Sequence, residues 1–342
     1  MKKHLLPEGG SWYKANLHCH STISDGKLTP EELKKVYTEK GYSIIAYTDH
    51  NVMLDHSNLN DENFLALVGY ELDVSEPYRG RPAGYDKTCH FCAIAIDPNE
   101  AKQVCYHREK YCFGNANEYR HLLKYDENEP DYVRVYNVDC INDMMKRARD
   151  GGFFVTYNHP AWSLENYEQY AHYEHMHAME ICNYGCVAAG YPDYVPQIYD
   201  DMLRAGKRIY CIATDDNHNV CPANTRDWDS FGAFTVIKAD KLDYPTIMKA
   251  LIDGNFYASQ GPAIHDLWYK DGEIHITCSD ADRIIFNAGR RKSRCRFAEN
   301  GKPLTKASFA VDPADLYVRL TVIDEKGYPA NTNAYFVDDL MK

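Results

Sequence analysis

The sequence predicts an α/β barrel followed by a small antiparallel β domain, and three observations lead there. The chain has 342 residues, which suits a barrel of roughly 250 residues with an appendage. Short apolar runs alternate with amphipathic stretches through its first three quarters, the pattern of parallel strands joined by helices. From about residue 261 that pattern gives way to alternating runs separated by Asp-Gly and Asn-Gly pairs, the marks of tight hairpins. The expected division is 1–260 for the barrel and 261–342 for a β-sandwich-like domain.

Lys14–His20 reads as the first strand. Thr29-Pro30-Glu31-Glu32-Leu33 then opens a helix: the Thr29 hydroxyl can cap it, Pro30 suits its first position, and the acids complement its N-terminal dipole. Gly41 suits the turn at its end. Further strands are expected over Ser43–Thr48, Leu65–Leu72, Cys89–Ile96, Gly152–Asn158, Ala178–Asn183 and Arg208–Thr214. Helices are expected over Val138–Asp150 and Pro192–Ala205. In the second part, Leu267–Lys270 and Glu273–Thr277 flank Asp271-Gly272 as a hairpin. Arg296–Glu299 leads into a second hairpin through Asn300-Gly301. Leu316–Val322 alternates like a strand with one buried face.

A composition of 44% hydrophobic and 26% charged residues is that of a globular chain and excludes a disordered or fibrous one. The formal net charge of −12 argues against holding nucleic acid by nonspecific phosphate attraction, while leaving a local basic patch open. No run approaches the ~20 apolar residues of a membrane span. The first ten residues lack the apolar core of a secretory signal. The 12 cysteines scatter from Cys19 to Cys295, so reduced thiols and a cytoplasmic location are expected. The one CxxC pair, Cys89 and Cys92, lies in an apolar run and reads as buried packing.

The chemistry begins at His18-Cys19-His20, where residues two apart on a strand aim two imidazoles to one side, as a metal site needs. Asp25, Thr48-Asp49-His50, Gly69-Tyr70-Glu71, His90, Asn158-His159-Pro160 and Thr214-Asp215-Asp216-Asn217-His218 follow. Most fall at the C-terminal ends of expected strands, where barrel enzymes gather their active sites. One such histidine is most simply a core residue. The whole set is not.

In this order, across about residues 14–260, these motifs resemble the PHP (polymerase and histidinol phosphatase) family. The resemblance implies a distorted (βα)7 TIM-like barrel with two or three divalent metals at its mouth. By position it implies His18, His20, Asp25, His50, Glu71, His90, His159, Asp216 and His218 as ligands, with Glu71 bridging two metals. Among these, His218, Asp216, His159 and Glu71 are the candidate catalytic residues. Aspartate at position 25, where some members carry histidine, is similar to the phosphoesterase branch. Asp216 fits the family spacing to His218, and Asp215 beside it stays open as a substitute. Gly254–Pro262 and the β tail are similar, more loosely, to the carbaryl-hydrolase-like branch.

A mixed imidazole and carboxylate set without a required thiolate suits Zn, Mn or Fe. Adjacent metals lower the pKa of a bound water and clamp phosphoryl oxygens, so hydrolysis by a metal-bound hydroxide is the expected reaction. Neither a G-x-S-x-G elbow nor a G-x-x-x-x-G-K-[ST] loop occurs. The expected substrate is a small phosphorylated metabolite or nucleotide. A carboxylic or carbamic ester on the same metals is one alternative, and a non-catalytic metal- or sugar-binding module is another. Candidate substrate-binding residues are Arg79 and Arg81, in an Arg-Gly-Arg loop, and Arg120 and Arg134, in a tyrosine-rich stretch that could form a lid. Asp49 is a candidate orienter behind the ligands. The β domain could pack on the barrel or mediate a homo-oligomer.

Overall fold

A computed structural model of the chain describes residues 2–77, 80 and 84–342. Arg79 and Arg81 lie outside the described residues. The strands of the first part are β1 (Lys3–His4), β2 (Ser11–Asn16), β3 (Ile44–Tyr47), β4 (Leu65–Ser75), β5 (Thr88–Ala95), β6 (Phe153–Tyr157), β7 (Ala178–Asn183), β8 (Tyr210–Thr214), β9 (Phe234–Ala239) and β10 (Phe256–Ser259). Helices α1 (Pro30–Thr38), α2 (Ala116–Tyr119), α3 (Val138–Asp150), α4 (Tyr167–Tyr170), α5 (Tyr184–Ala188), α6 (Pro196–Arg204) and α7 (Tyr244–Asp253) lie among them. The cap expected of Thr29 forms in full: its side chain accepts from the Glu32 N–H, and the Glu32 carboxylate accepts from the Thr29 N–H. No helix among the described residues is long and apolar enough to cross a membrane.

The mixed α/β content agrees with expectation, but two features of the expected barrel are corrected. First, the sheet is not all parallel. Strands β2, β3 and β4 run parallel, as do β6, β7 and β8, but β5 is antiparallel to both β4 and β6, and β9 is antiparallel to β2. Among the described residues no helix lies between β4 and β5, and a strand that returns without a crossover pairs antiparallel. Second, the strand order β10-β9-β2-β3-β4-β5-β6-β7-β8 does not close on itself. Where β8 approaches β9, a side chain stands in for a ladder. Thr235 Oγ accepts from the Ala213 N–H at 3.2 Å and donates to the Ala213 carbonyl at 2.9 Å. Beyond the strand ends, the Asp216 N–H bonds to the His18 carbonyl and the His20 N–H to that of Asn217. These bonds draw the segment after β8 against the segment after β2, at one rim.

An inner apolar cluster of Ala15, Ile44, Ala46, Leu67, Ile94, Phe154, Ile212 and Ile237 fills the curled sheet, and α7 packs Ile247, Met248 and Leu251 against it. A larger cluster lies under α3 and α6, which contribute Met144, Met145, Tyr199 and Met202. At roughly 25 cal/mol per Å² of apolar surface removed from water, such clusters supply most of the favourable term in folding.

The second part holds β11 (Ile264–Lys270), β12 (Glu273–Ala281), β13 (Arg283–Ala288), β14 (Arg294–Phe297), β15 (Leu304–Ala310), β16 (Tyr317–Ile323), β17 (Pro329–Thr332), β18 (Tyr335–Phe336) and α8 (Val337–Leu340). One layer is β1-β11-β12-β15. The other, β14-β13-β16-β17, continues the barrel sheet because β17 pairs with β10. Ile274, Ile276, Ile284, Phe286, Phe309, Leu320 and Val322 pack between them. The Asp271-Gly272 hairpin forms as expected, with both residues at positive φ. The Asn300-Gly301 turn also forms, but it joins strands of different layers: β14 pairs with β13 and β15 with β12. Strand β16 is buried on both faces rather than one, since its Arg319 side turns onto α6.

His177 sits ahead of β7. It accepts the Val155 N–H on Nδ1 at 3.0 Å and stacks on Phe154 at 5.0 Å. Burial, and then Arg149, hold its imidazole down to about 4. The unfolded chain therefore takes up a proton below pH ~6.5 that the folded chain refuses until about pH 4, so stability falls as the pH drops through that window. Across it the loss is about 3 kcal/mol. His177→Asn is expected to flatten the acid limb of the unfolding free energy, read by denaturant titration at each pH.

Candidate metal centre

The segments just past β2, β3, β6 and β8 meet at one rim with the middle of β4. His90 reaches the same place from near the start of β5. That strand runs backwards, and Asp73 pairs with His90 across the ladder. The antiparallel turn thus delivers a residue that a parallel strand would carry at its other end.

Glu71 stands at the centre. Its Oε1 lies 3.2 Å from His18 Nε2, 3.3 Å from His90 Nδ1 and 3.3 Å from His159 Nε2. Its Oε2 lies 3.2 Å from His50 Nδ1 and 3.4 Å from His20 Nε2. Asp216 Oδ1 lies 3.1 Å from His18 Nε2 and 3.0 Å from His20 Nε2. Asp25 joins from the outside, 3.6 Å from His20, 3.7 Å from His50 and 3.5 Å from His218. The donor atoms fall into four groups: His18, His20 and Asp216; His50, Glu71 and His90; His20, Asp25, His50 and His218; and His18, Glu71 and Cys92. Every sequence-derived ligand candidate is therefore in the cluster or touching it. Asp216 and His159 hold positive φ values of 49° and 23°, backbone conformations that a side chain rarely adopts and that cluster at functional sites.

The donor set fits divalent cations. His20 Nδ1, His50 Nδ1 and Asp216 Oδ1 are buried without a hydrogen bond, a state that costs free energy unless another partner is supplied. Spacings of 3.0–3.4 Å are also those of ligands about 2.0 Å from a shared tetrahedral ion, whose edges are ~3.3 Å. The electrostatics are strained to match. Burial works against charge on Glu71, yet His18, His90 and His50 hold it well below the usual carboxylate range. Burial and His20 push His50 down to about 4, while Glu71 and Asp216 overcome burial to raise His159 to about 9.

The choice between adjacent aspartates is resolved by their partners. Asp215 faces away, accepting from the N–H groups of Phe231, Gly232 and Ala233 and from Tyr37 Oη; burial raises it to about 6. Asp216 faces the imidazoles. Asp49 turns back to take four bonds from Ser21 and Ser24, which fixes the turn that carries Asp25. Cys89 and Cys92 are fully buried, as expected of packing residues. Cys92, however, borders the cluster and accepts from Asn158 Nδ2, which also donates to Glu71 at 2.8 Å.

Sequence reasoning missed Glu180. It is 1% exposed; it accepts from His18 Nδ1 at 2.8 Å, from the His159 N–H at 2.9 Å, from Thr214 Oγ at 2.6 Å and from Asn183 Nδ2 at 2.9 Å. It fixes the tautomer and direction of His18, leaving Nε2 for the cluster. The available signal was an acid in the middle of the otherwise apolar run Ala178–Cys182. Glu180→Gln is expected to lower metal affinity or turnover by ~10–100-fold with the unfolding midpoint retained, checked by elemental analysis and steady-state kinetics.

Two expected substrate-binding arginines are corrected. Arg120 Nη1 is spent on the carbonyls of His107, Arg108 and Lys110. Arg134 is buried over the Tyr111 ring, donating to Asn51 Oδ1 and to the carbonyls of Asp73 and Cys105. Each guanidinium satisfies loop carbonyls, which otherwise lack partners. The tyrosine-rich stretch does reach the site, through Phe113. A cavity of about 450 Å³ opens over the cluster, and Phe113 and Trp162 stand on its wall, 46% and 37% exposed. Phe113 lies 5.3 Å from the His50 ring, and Trp162 lies edge-on to His90 and His159. Asp193 holds Trp162 in place by accepting from the N–H groups of Ala161 and Trp162.

Among curated proteins, the chain is 34% identical over 79 residues to the DNA polymerase/3'-5' exonuclease PolX of Bacillus subtilis, a match covering 18% of this chain and 14% of that protein. It is 36% identical over 73 residues to a 5'-3' exoribonuclease of Haemophilus influenzae, covering 20% of this chain and 26% of that one. Both matches span well under half of the relatives' length. Among solved structures, a two-domain protein of Bacteroides vulgatus containing a predicted PHP-like metal-dependent phosphoesterase aligns with a TM-score of 0.44 at 15% identity, over 97% of this chain and 98% of that one. The model of the PHP domain family matches residues 16–214, a span that carries the converging ligand candidates from His18 to His159 and ends just before Asp216 and His218, and the chain belongs to the PHP domain family.

Proposed function

We propose that the chain is a divalent-metal-dependent hydrolase of phosphoric esters, acting on a small phosphorylated metabolite or nucleotide. The observation that carries this reading is Glu71, whose two oxygens are shared among five imidazoles within 3.4 Å. Such a carboxylate is built to bridge ions. Bound cations would lower the pKa of a coordinated water and neutralise charge on a phosphoryl group. The side chains do the rest. Glu180 and Asn183 hold His18 and Asp216 in register. Asp229 accepts from the His218 N–H at 2.7 Å and fixes that histidine at the mouth. Phe113 and Trp162 exclude water from one wall and offer aromatic faces to the organic part of the substrate.

A second reading, hydrolysis of a carboxylic or carbamic ester at the same site, is favoured by one observation. Among the described residues lining the cavity there are carboxylates and imidazoles but no Lys or Arg to grip a phosphate. Metal content by elemental analysis, paired with hydrolysis of an aryl phosphate and the matching aryl ester with and without chelator, separates the two. Two or three ions per chain with chelator-sensitive phosphate release supports the first reading. Ester cleavage alone transfers the site to the second. A protein that takes up neither Zn, Mn nor Fe loses both.

A further inference from the structure

The net charge of −12 conceals a strong local reversal. Residues 283–306 hold eight Lys or Arg and one acid, Glu299. They form β13 and β14, at the end of the long sheet, then the Asn-Gly turn and the start of β15, the last strand of the other layer. Among the described residues strand β14 pairs only with β13, which leaves its other edge without a strand. Three of the eight have a carboxylate within ion-pair distance among the described residues: Arg290 binds Asp312 and Asp315 at 2.6 Å, Arg294 lies 3.8 Å from Asp315, and Arg283 pairs with adjacent Asp282. Arg291, Lys292, Arg296, Lys302 and Lys306 are exposed, and none has a carboxylate within ion-pair distance among the described residues.

Two shallow clefts meet here. One, of about 380 Å³, is lined by Arg283 and Arg294; the other, of about 440 Å³, by Arg296, Lys302 and Lys306. Phe297 lines both and is 59% exposed. Charges on an edge strand commonly serve only to prevent sheet-to-sheet pairing. That role gives no reason for a large exposed phenyl ring among them, since an apolar edge residue invites the association the charges oppose. A basic track interrupted by an aromatic face is instead the form taken by surfaces that hold single-stranded nucleic acid, with phosphates on the cations and a base on the ring.

We propose that this face of the β domain, centred on Phe297 with Arg296, Lys302 and Lys306, binds single-stranded nucleic acid through its backbone and one stacked base. The binding is independent of the metal centre, so it is tested with the metals chelated and no turnover. The probe is a fluorescein-labelled oligothymidylate of roughly a dozen nucleotides, followed by anisotropy between about 50 and 200 mM salt. Three phosphate contacts predict a slope of log K against log[salt] of about −2 from these cations. Arg296→Ala, Lys302→Ala and Lys306→Ala together should remove that slope. Phe297→Ala should weaken binding roughly 10-fold while leaving the slope in place. All four positions are exposed or at the surface, and unchanged thermal midpoints show that the variants fold.

Absence of salt-dependent binding overturns the proposal, as does wild-type affinity in the triple variant. Duplex DNA bound as tightly as the single strand, with no effect of Phe297→Ala, also overturns it. So does displacement of the oligonucleotide by phosphatidylserine vesicles at lower phosphate concentration than by unlabelled strand, which assigns the face to a membrane surface.

Discussion

Replacing Glu71 with glutamine is expected to remove at least one divalent ion per chain and to lower turnover by more than the ~100-fold that loss of an outer partner costs. The geometry says which ion goes. Asn158 Nδ2 donates to Oε1 at 2.8 Å, so an amide at position 71 keeps its carbonyl there and turns its NH₂ to the Oε2 side. That side faces His50 Nδ1 at 3.2 Å and His20 Nε2 at 3.4 Å. An NH₂ group donates and cannot ligate, so the group of His50, Glu71 and His90 would lose its carboxylate donor on the His50 side. The group of His18, His20 and Asp216 retains its own carboxylate. Elemental analysis should therefore show partial rather than complete loss, while His20→Ala, which removes a donor both from the group of His18 and Asp216 and from that of Asp25, His50 and His218, should lose more. Full metal content with turnover within a few-fold of wild type in Glu71→Gln would remove this residue from the centre of the site.

The cluster of ligand candidates was legible in the sequence for a physical reason. Several imidazoles and carboxylates recurring at the ends of apolar runs are more than a core needs, and their order is what resembles the PHP family and so implies the nine positions; the period of two in His18-x-His20 reports the direction of those two rings. Their Nε2 atoms do meet, 3.1 Å apart. Strand direction was not legible. An apolar run reads the same in either sense, so nothing in Cys89–Ile96 distinguishes an antiparallel β5 from a parallel one. His90 reached the rim all the same, because a reversed strand brings its start to that end.

Arg120 and Arg134 failed for the opposite reason. A guanidinium has five donors, and a sequence cannot say whether substrate or loop carbonyls will take them. Glu180 was hidden because an acid in an apolar strand reads as an anomaly until its four partners, three of them more than 20 residues away, are in place. The basic track shows how far a whole-chain charge can mislead: an average over 342 residues says nothing about 24 of them.

Asp200→Ala is expected to destabilise the chain by about 3–5 kcal/mol, the effect of leaving one partner of a buried ion pair alone. Asp200 lies on α6 and receives Arg319 from β16 in a two-bond fork, Nε to Oδ1 at 2.8 Å and Nη2 to Oδ2 at 2.7 Å. Tyr317 Oη adds a third bond at 3.0 Å. The Arg319 side chain is 2% exposed, and without the carboxylate its charge keeps, among the described residues, Thr321 Oγ at 3.1 Å, a long contact to Asn331 and the Tyr199 ring at 5.8 Å. This pair is the polar core of the contact between the β layers and the barrel helix, and it explains why β16 is buried on both faces. Asp200→Asn, which keeps one acceptor, should fall between wild type and alanine. Asp200→Leu combined with Arg319→Met should recover much of the loss, because an apolar pair of similar volume leaves no charge to satisfy. Denaturant unfolding with a constant slope separates these outcomes from a change in the unfolded chain. Metal content per folded chain should not move in any of the three, since neither residue touches the cluster. A loss below about 1 kcal/mol in Asp200→Ala, within the range of exposed pairs, would mean that water reaches Arg319 and that the two parts are held by the β10–β17 ladder, apolar packing and other polar contacts, such as those of Asn333 with Cys211 and Phe256.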